Sequence, residues 1–183
     1  EETEKQDHTF DNDGMCTVCK IFPAFSIGLE FSENNDGRTA TLTGIGTCTD
    51  TEIIIPLTYN GKTITAIGEK AFADQTNVTY IEIPKTVKTI RTRAFYNTGI
   101  TEILIPESVT SIGTQIFYKC DKLKTVYYNS QYGSSDNQFL YVSNLETVVF
   151  GGTYVPKYIC NNCSFCFEYL RRFFYNNLQI FII

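Results

Sequence analysis

Apolar and polar positions alternate along this chain in short bursts that recur at a fixed spacing. Ile100 to Cys120 reads ITEILIPESVTSIGTQIFYKC. The pattern predicts a strand, a turn at proline, a second short strand and a tight apolar turn. Val78 to Asn97, VTYIEIPKTVKTIRTRAFYN, repeats the phrase one unit earlier. The residue closing the apolar turn falls at Phe72, Phe95, Phe117, Phe139 and Cys160, in steps of 23, 22, 22 and 21 residues. A strand opens five or six residues after each, at Val78, Ile100, Leu123, Leu145 and Cys166. One such unit buries too few apolar side chains to offset the entropy of ordering about twenty residues, so stacking is required. The repeat therefore predicts a solenoid.

A period in the low twenties falls in the leucine-rich-repeat range of roughly 20–29 residues. The wording is narrower. Strands ending in Ile-Pro, SVTSIG at Ser108–Gly113, and YNGKTITAIGEKAF at Tyr59–Phe72 resemble the BspA-like (Treponema pallidum-type) leucine-rich repeats. The resemblance covers roughly residues 50–170. It implies a β-rich α/β solenoid, right-handed, of about five repeats of 21–23 residues. It also implies a secreted or cell-surface protein that works by adhesion and protein–protein contact. The asparagine ladder of ordinary leucine-rich repeats is missing, and Pro56, Pro84 and Pro106 stand near its place. Proline removes a ladder donor, which fits strand ends.

Around the repeats the pattern changes. Residues 1–24 begin polar and acidic and read as a leader or linker. Residues 25–50 contain two alternating stretches, GLEFS and TATLTGI, split by the turn signal ENNDG. They predict a β-hairpin capping the first repeat, since an open solenoid end exposes core and strand edges. Glycine-rich TGIGT lacks the lysine and helix of a phosphate loop and reads as a turn. The first repeat is longer than the others. Its Asn60-Gly61 pair predicts a protruding two-residue hairpin. Asn129 to Asn137 reads as a polar loop. The repeats end near Leu170, and residues 171–183 are an apolar tail that either caps the last unit or is a truncated end.

Alternation within each strand assigns faces. In ITEILIP, Ile100, Ile103 and Ile105 point inward, while Glu102 and Leu104 point onto the concave surface. Carried along the repeats, one outward column is Glu52, Tyr80, Glu102, Thr125, Thr147 and Glu168. The other is Ile54, Glu82, Leu104, Tyr127, Val149 and Leu170. The second column is mostly apolar yet outward-facing, which marks a contact surface for a protein partner. The alternatives are β-propensity alone or cover from a neighbouring domain.

Composition narrows the chemistry. The formal net charge of −5 argues against nucleic acid. No apolar run reaches the roughly 18 residues a membrane-crossing helix needs, so no membrane insertion is expected. The one histidine, His8, lies in the leader, so no Ser-His-Asp or Cys-His arrangement is available within the repeats. No enzyme activity and no cofactor are expected. Outward Glu52, Glu82 and Glu102 invite comparison with glycosidase carboxylates, but on a sheet such groups are ordinarily just solvated. His8, Cys16 and Cys19 match zinc-ligand types without an evident further ligand. A linker without metal and a Cys16–Cys19 disulfide are the other readings. Cys160, Cys163 and Cys166 resemble a metal cluster, but each falls at a core position of the repeat, where cysteine acts as a small apolar residue.

Overall fold

The computed structural model describes residues 25–130 and 142–150. Each repeat contributes to three ladders that run along the stack. The first is a run of parallel strands, of which the first three lead into Ile-Pro: β3 (Glu52–Ile54), β6 (Tyr80–Glu82), β8 (Glu102–Ile105), β10 (Thr125–Tyr128) and β11 (Thr147–Phe150). β3 pairs with β6, β8 with β10, and β10 with β11, all parallel. β6 and β8 are neighbours, joined where Thr101 N–H donates to Thr79 O at 3.1 Å.

The second ladder joins one strand ahead of the first proline turn to the strands that follow the proline turns. β2 (Thr39–Gly44), β5 (Lys62–Ile67), β7 (Thr89–Ile90) and β9 (Ser111–Ile112) pair in parallel. The proline carbonyl closes the turns at Pro84 and Pro106: Val87 N–H donates to Pro84 O and Val109 N–H to Pro106 O. Isoleucines from both ladders fill the core. Ile53, Ile64, Ile67, Ile90, Ile100 and Ile105 are completely buried.

The third ladder runs through the tight apolar turns read from the spacing, while the α/β class also implies a helical component. Among the described residues there is no helix there; the chain forms tight turns instead. The hydrogen bonds explain why. Lys70, Phe72 and Asp74 donate their amides to Thr92, Ala94 and Tyr96 of the next repeat. Arg93, Phe95 and Asn97 donate to Thr114, Ile116 and Tyr118. The residues between them, Ala71, Ala73, Ala94 and Tyr96, donate within the turn to the carbonyl three residues back. Every second amide is thus committed to a neighbour and is lost to an α-helical bond. The geometry requires left-handed backbone at ordinary residues. Lys70, Arg93 and Gln115 each have φ near 55°, and Asp74, Asn97 and Lys119 have φ of 63, 50 and 62°. Inside these turns Phe72, Phe95 and Phe117 stack in a column, with ring centroids 5.9 and 5.6 Å apart. All three are fully buried. Gly99, just before β8, has no room for a side chain: a Cβ would sit 2.1 Å from Thr76 O.

The N-terminal hairpin is present. β1 (Glu30–Glu33) pairs antiparallel with β2, which joins the second sheet beside β5. Asp36 holds its turn, accepting from Arg38 N–H, Thr39 N–H and the Thr39 hydroxyl. The TGIGT segment is a turn, with Cys48 N–H donating to Ile45 O. The inserted hairpin also forms: β4 (Thr58–Tyr59) pairs antiparallel with β5 around Asn60 and Gly61, both at positive φ. It leans on the N-terminal hairpin, with Tyr59 stacked on Phe31 at 4.8 Å and Lys62 paired to Glu33.

A hydroxyl ladder takes the place of the missing asparagines. Ser108 Oγ donates to Val87 O at 2.9 Å, and Ser130 Oγ to Val109 O at 2.7 Å. Ser130 is the second residue of the segment read as a polar loop, yet it is buried and in register; positions 131–137 of that segment lie outside the described residues. Thr86 stands at the equivalent place one repeat earlier, and its buried hydroxyl has no partner. Ser108→Ala is expected to lose about 0.5–1.5 kcal/mol, a typical net hydrogen-bond contribution. Thr86→Val is expected to be neutral or stabilising, because it removes a desolvated hydroxyl with no bond to lose. Urea midpoints of the two variants against the parent chain check the contrast.

Candidate functional site

Strand pairing fixes which outward side chains are neighbours. Glu52 lies opposite Tyr80, and Ile54 opposite Glu82. Glu102 lies opposite Thr125 and Leu104 opposite Tyr127. Thr125 then meets Thr147, and Tyr127 meets Val149. The strands thus align the columns read from alternation as far as Thr147 and Val149. Glu168 and Leu170 lie outside the described residues.

Burial follows the same division. Ile53, Ile81, Ile103 and Val126 are buried at the inward positions between them. Glu52, Glu82, Glu102 and Thr147 are exposed, and Ile54, Tyr80, Thr125 and Val149 are half-buried. Leu104 is 44% exposed and Tyr127 39%, two of the few large apolar side chains in the described residues left open to water. Lys124 and Glu146 form an exposed ion pair at 3.2 Å beside the strand starts. Such a pair adds little stability.

The face is chemically divided along the stack. Toward the N-terminal end, Glu52, Glu82 and Glu102 surround Tyr80. Partial burial raises the Tyr80 phenol above its ordinary value, and the charges of Glu82, Glu102 and Glu52 push it the same way. Among the described residues no cation forms an ion pair with these three carboxylates. Toward the C-terminal end the face becomes Leu104, Tyr127 and Val149, without charge. The carboxylates are open to water on a sheet surface.

Two cysteines fall in the described residues, Cys48, half-buried against the core, and Cys120. Cys120 is fully buried in a turn, its thiol donating to Phe95 O at 2.9 Å and lying 3.3 Å from Thr98 Oγ1. Burial pushes the thiol up to about 11, which makes it a poor nucleophile. His8, Cys16, Cys19, Cys160, Cys163 and Cys166 lie outside the described residues. Sequence reasoning missed a second surface on the turn side, where Tyr96 and Tyr118 stack at 5.6 Å and Arg93 and Lys119 lie over the Tyr118 ring. The signal was present in the recurring Phe-Tyr pairs of AFYN and IFYK.

Stacked units of one strand, one proline turn and one apolar turn define a leucine-rich-repeat solenoid. The BspA-type leucine-rich repeat region matches residues 47–166 in six copies, and the chain belongs to that family. The six copies compare with the roughly five units read from spacing. A leucine-rich repeat protein from Eubacterium ventriosum is 30% identical at TM-score 0.54, over 60% of this chain and 29% of its own. This chain therefore spans under a third of that relative's length. Another from Bacteroides capillosus is 26% identical at TM-score 0.52, over 69% of this chain and 99% of its own. Among curated proteins none is significantly similar.

The carboxylate setting of Tyr80 gives a direct check. In the folded chain Tyr80 is expected to ionise above the ordinary tyrosine value. Glu82→Gln and Glu102→Gln should each bring it back toward the ordinary value. Carbon-13 shifts of labelled tyrosine across an alkaline titration, with Tyr80→Phe for assignment, measure this. An unchanged Tyr80 titration in both variants contradicts the geometry.

Proposed function

We propose that this chain is a protein-interaction module that binds its partner through the outward columns of the first sheet, the concave face. The repeats at 51–170 carry that face, residues 25–50 cap it, residues 1–24 serve as a linker, and residues 171–183 form a tail. The setting proposed is extracellular, secreted or at a cell surface, in an adhesion-type role. No catalysis is assigned to it. Leucine-rich-repeat proteins generally act as binding scaffolds, and membership of this family supports the reading. The observation that carries it is the exposure of Leu104 and Tyr127 side by side on an otherwise regular sheet. Apolar groups left open in adjacent strands are the raw material of an interface core.

The test is a triple substitution, Tyr80→Ala, Leu104→Ser and Tyr127→Ser, in the full chain. These side chains lie on the outer face, so circular dichroism and melting temperature should change little. Binding to a cell-surface extract or purified partner is expected to fall at least tenfold, the scale of losing about 1.4 kcal/mol or more at an interface centre. Undiminished binding would falsify the concave-face reading. It would favour a spacer or targeting domain without a ligand of its own.

A further inference from the structure

The face described above is divided, and the division specifies the chemistry of what fits it. At one end three carboxylates, Glu52, Glu82 and Glu102, surround the half-buried Tyr80 with no cation paired to them among the described residues. At the other end Leu104 and Tyr127 are exposed beside Val149. The two ends share a single parallel surface, so one partner segment lying across the strands meets both. We infer that the partner docks as a protein segment carrying an arginine or lysine close to a bulky apolar side chain. The cation sits among Glu52, Glu82 and Glu102, and the apolar group sits on Leu104 and Tyr127.

This inference rests on the proposed use of the face, and charge complementarity selects the occupant. An apolar or acidic partner covering the surface would strip water from three carboxylates and return no counter-charge. A second copy of this chain has the same defect: two faces meeting would pair acid with acid or acid with Leu104 and Tyr127. The net charge of −5 adds repulsion between copies and steers a basic partner inward. Geometry sets the spacing. Neighbouring strands are about 4.8 Å apart, so β6 and β10, two strands apart, place the two subsites on the order of 10 Å apart. An extended segment crosses that distance in about three residues.

The test selects peptides from a displayed random library on the immobilised full chain. Counter-selection uses a Leu104→Ser, Tyr127→Ser variant, which keeps all three acids and so discards peptides held by charge alone. The expected survivors carry arginine or lysine within about four residues of a Phe, Tyr, Leu or Ile. A representative synthetic peptide should bind a Glu52→Gln, Glu82→Gln, Glu102→Gln variant about tenfold more weakly, with a flatter salt dependence. Survivors without a basic residue, or affinity unchanged in the Gln variant, overturn the basic partner and leave the face as a binding surface. No survivors overturn both. A chain that dimerises at assay concentration, and becomes monomeric with Leu104→Ser and Tyr127→Ser, overturns the inference in favour of a second copy.

Discussion

Every second amide of the apolar turn bonds to the next repeat, and the rest of the structure depends on that division. Phe72 N–H reaches Ala94 O, and Phe95 N–H reaches Ile116 O. A turn that spends these donors between units cannot spend them on a helix. Left-handed backbone at Lys70, Arg93, Gln115, Asp74, Asn97 and Lys119 is the cost, on the order of 1–3 kcal/mol each. It is offset because the same geometry stacks Phe72, Phe95 and Phe117 face to face in a fully buried column. Each turn is thereby fixed to its neighbours at one height.

That fixed height sets the register of the outer face. With the turns locked, β3, β6, β8, β10 and β11 begin at equivalent residues, and side chains spaced two apart fall into straight columns. A one-residue slip would exchange Ile103 for Glu102 and bury a carboxylate. The columns hold because the turns and the two isoleucine-lined sheets make the slipped stack unstable. The proposed binding surface therefore consists of positions the core leaves free: Tyr80, Leu104 and Tyr127 alternate with buried Ile81, Ile103 and Val126.

Much of this was legible in the sequence. The repeated spacing of Phe72, Phe95 and Phe117 announced the stack, and period-two alternation in ITEILIP assigned Glu102 and Leu104 outward. Asn60-Gly61 announced a hairpin turn. What was not legible came from pairing between units. The apolar pattern of EKAFAD marks a tight turn, but nothing in it shows that alternate amides point to the next repeat. The hydroxyl ladder of Ser108 and Ser130 was hidden because serine on a turn is ordinarily solvated. Tyr59 against Phe31 joins two hairpins 28 residues apart, a distance no local pattern spans. The division of the outer face into acidic and apolar halves was present in the columns but took meaning only with Glu82 and Glu102 beside the same tyrosine.

The most direct measurement is through-hydrogen-bond scalar coupling in the labelled chain, read at the turn amides. The account predicts couplings from Phe72 N to the Ala94 carbonyl carbon and from Phe95 N to that of Ile116. Couplings from Phe95 N to the Arg91 carbonyl carbon, four residues back, would show a helix in that place. They would contradict the ladder and with it the register of the outer face.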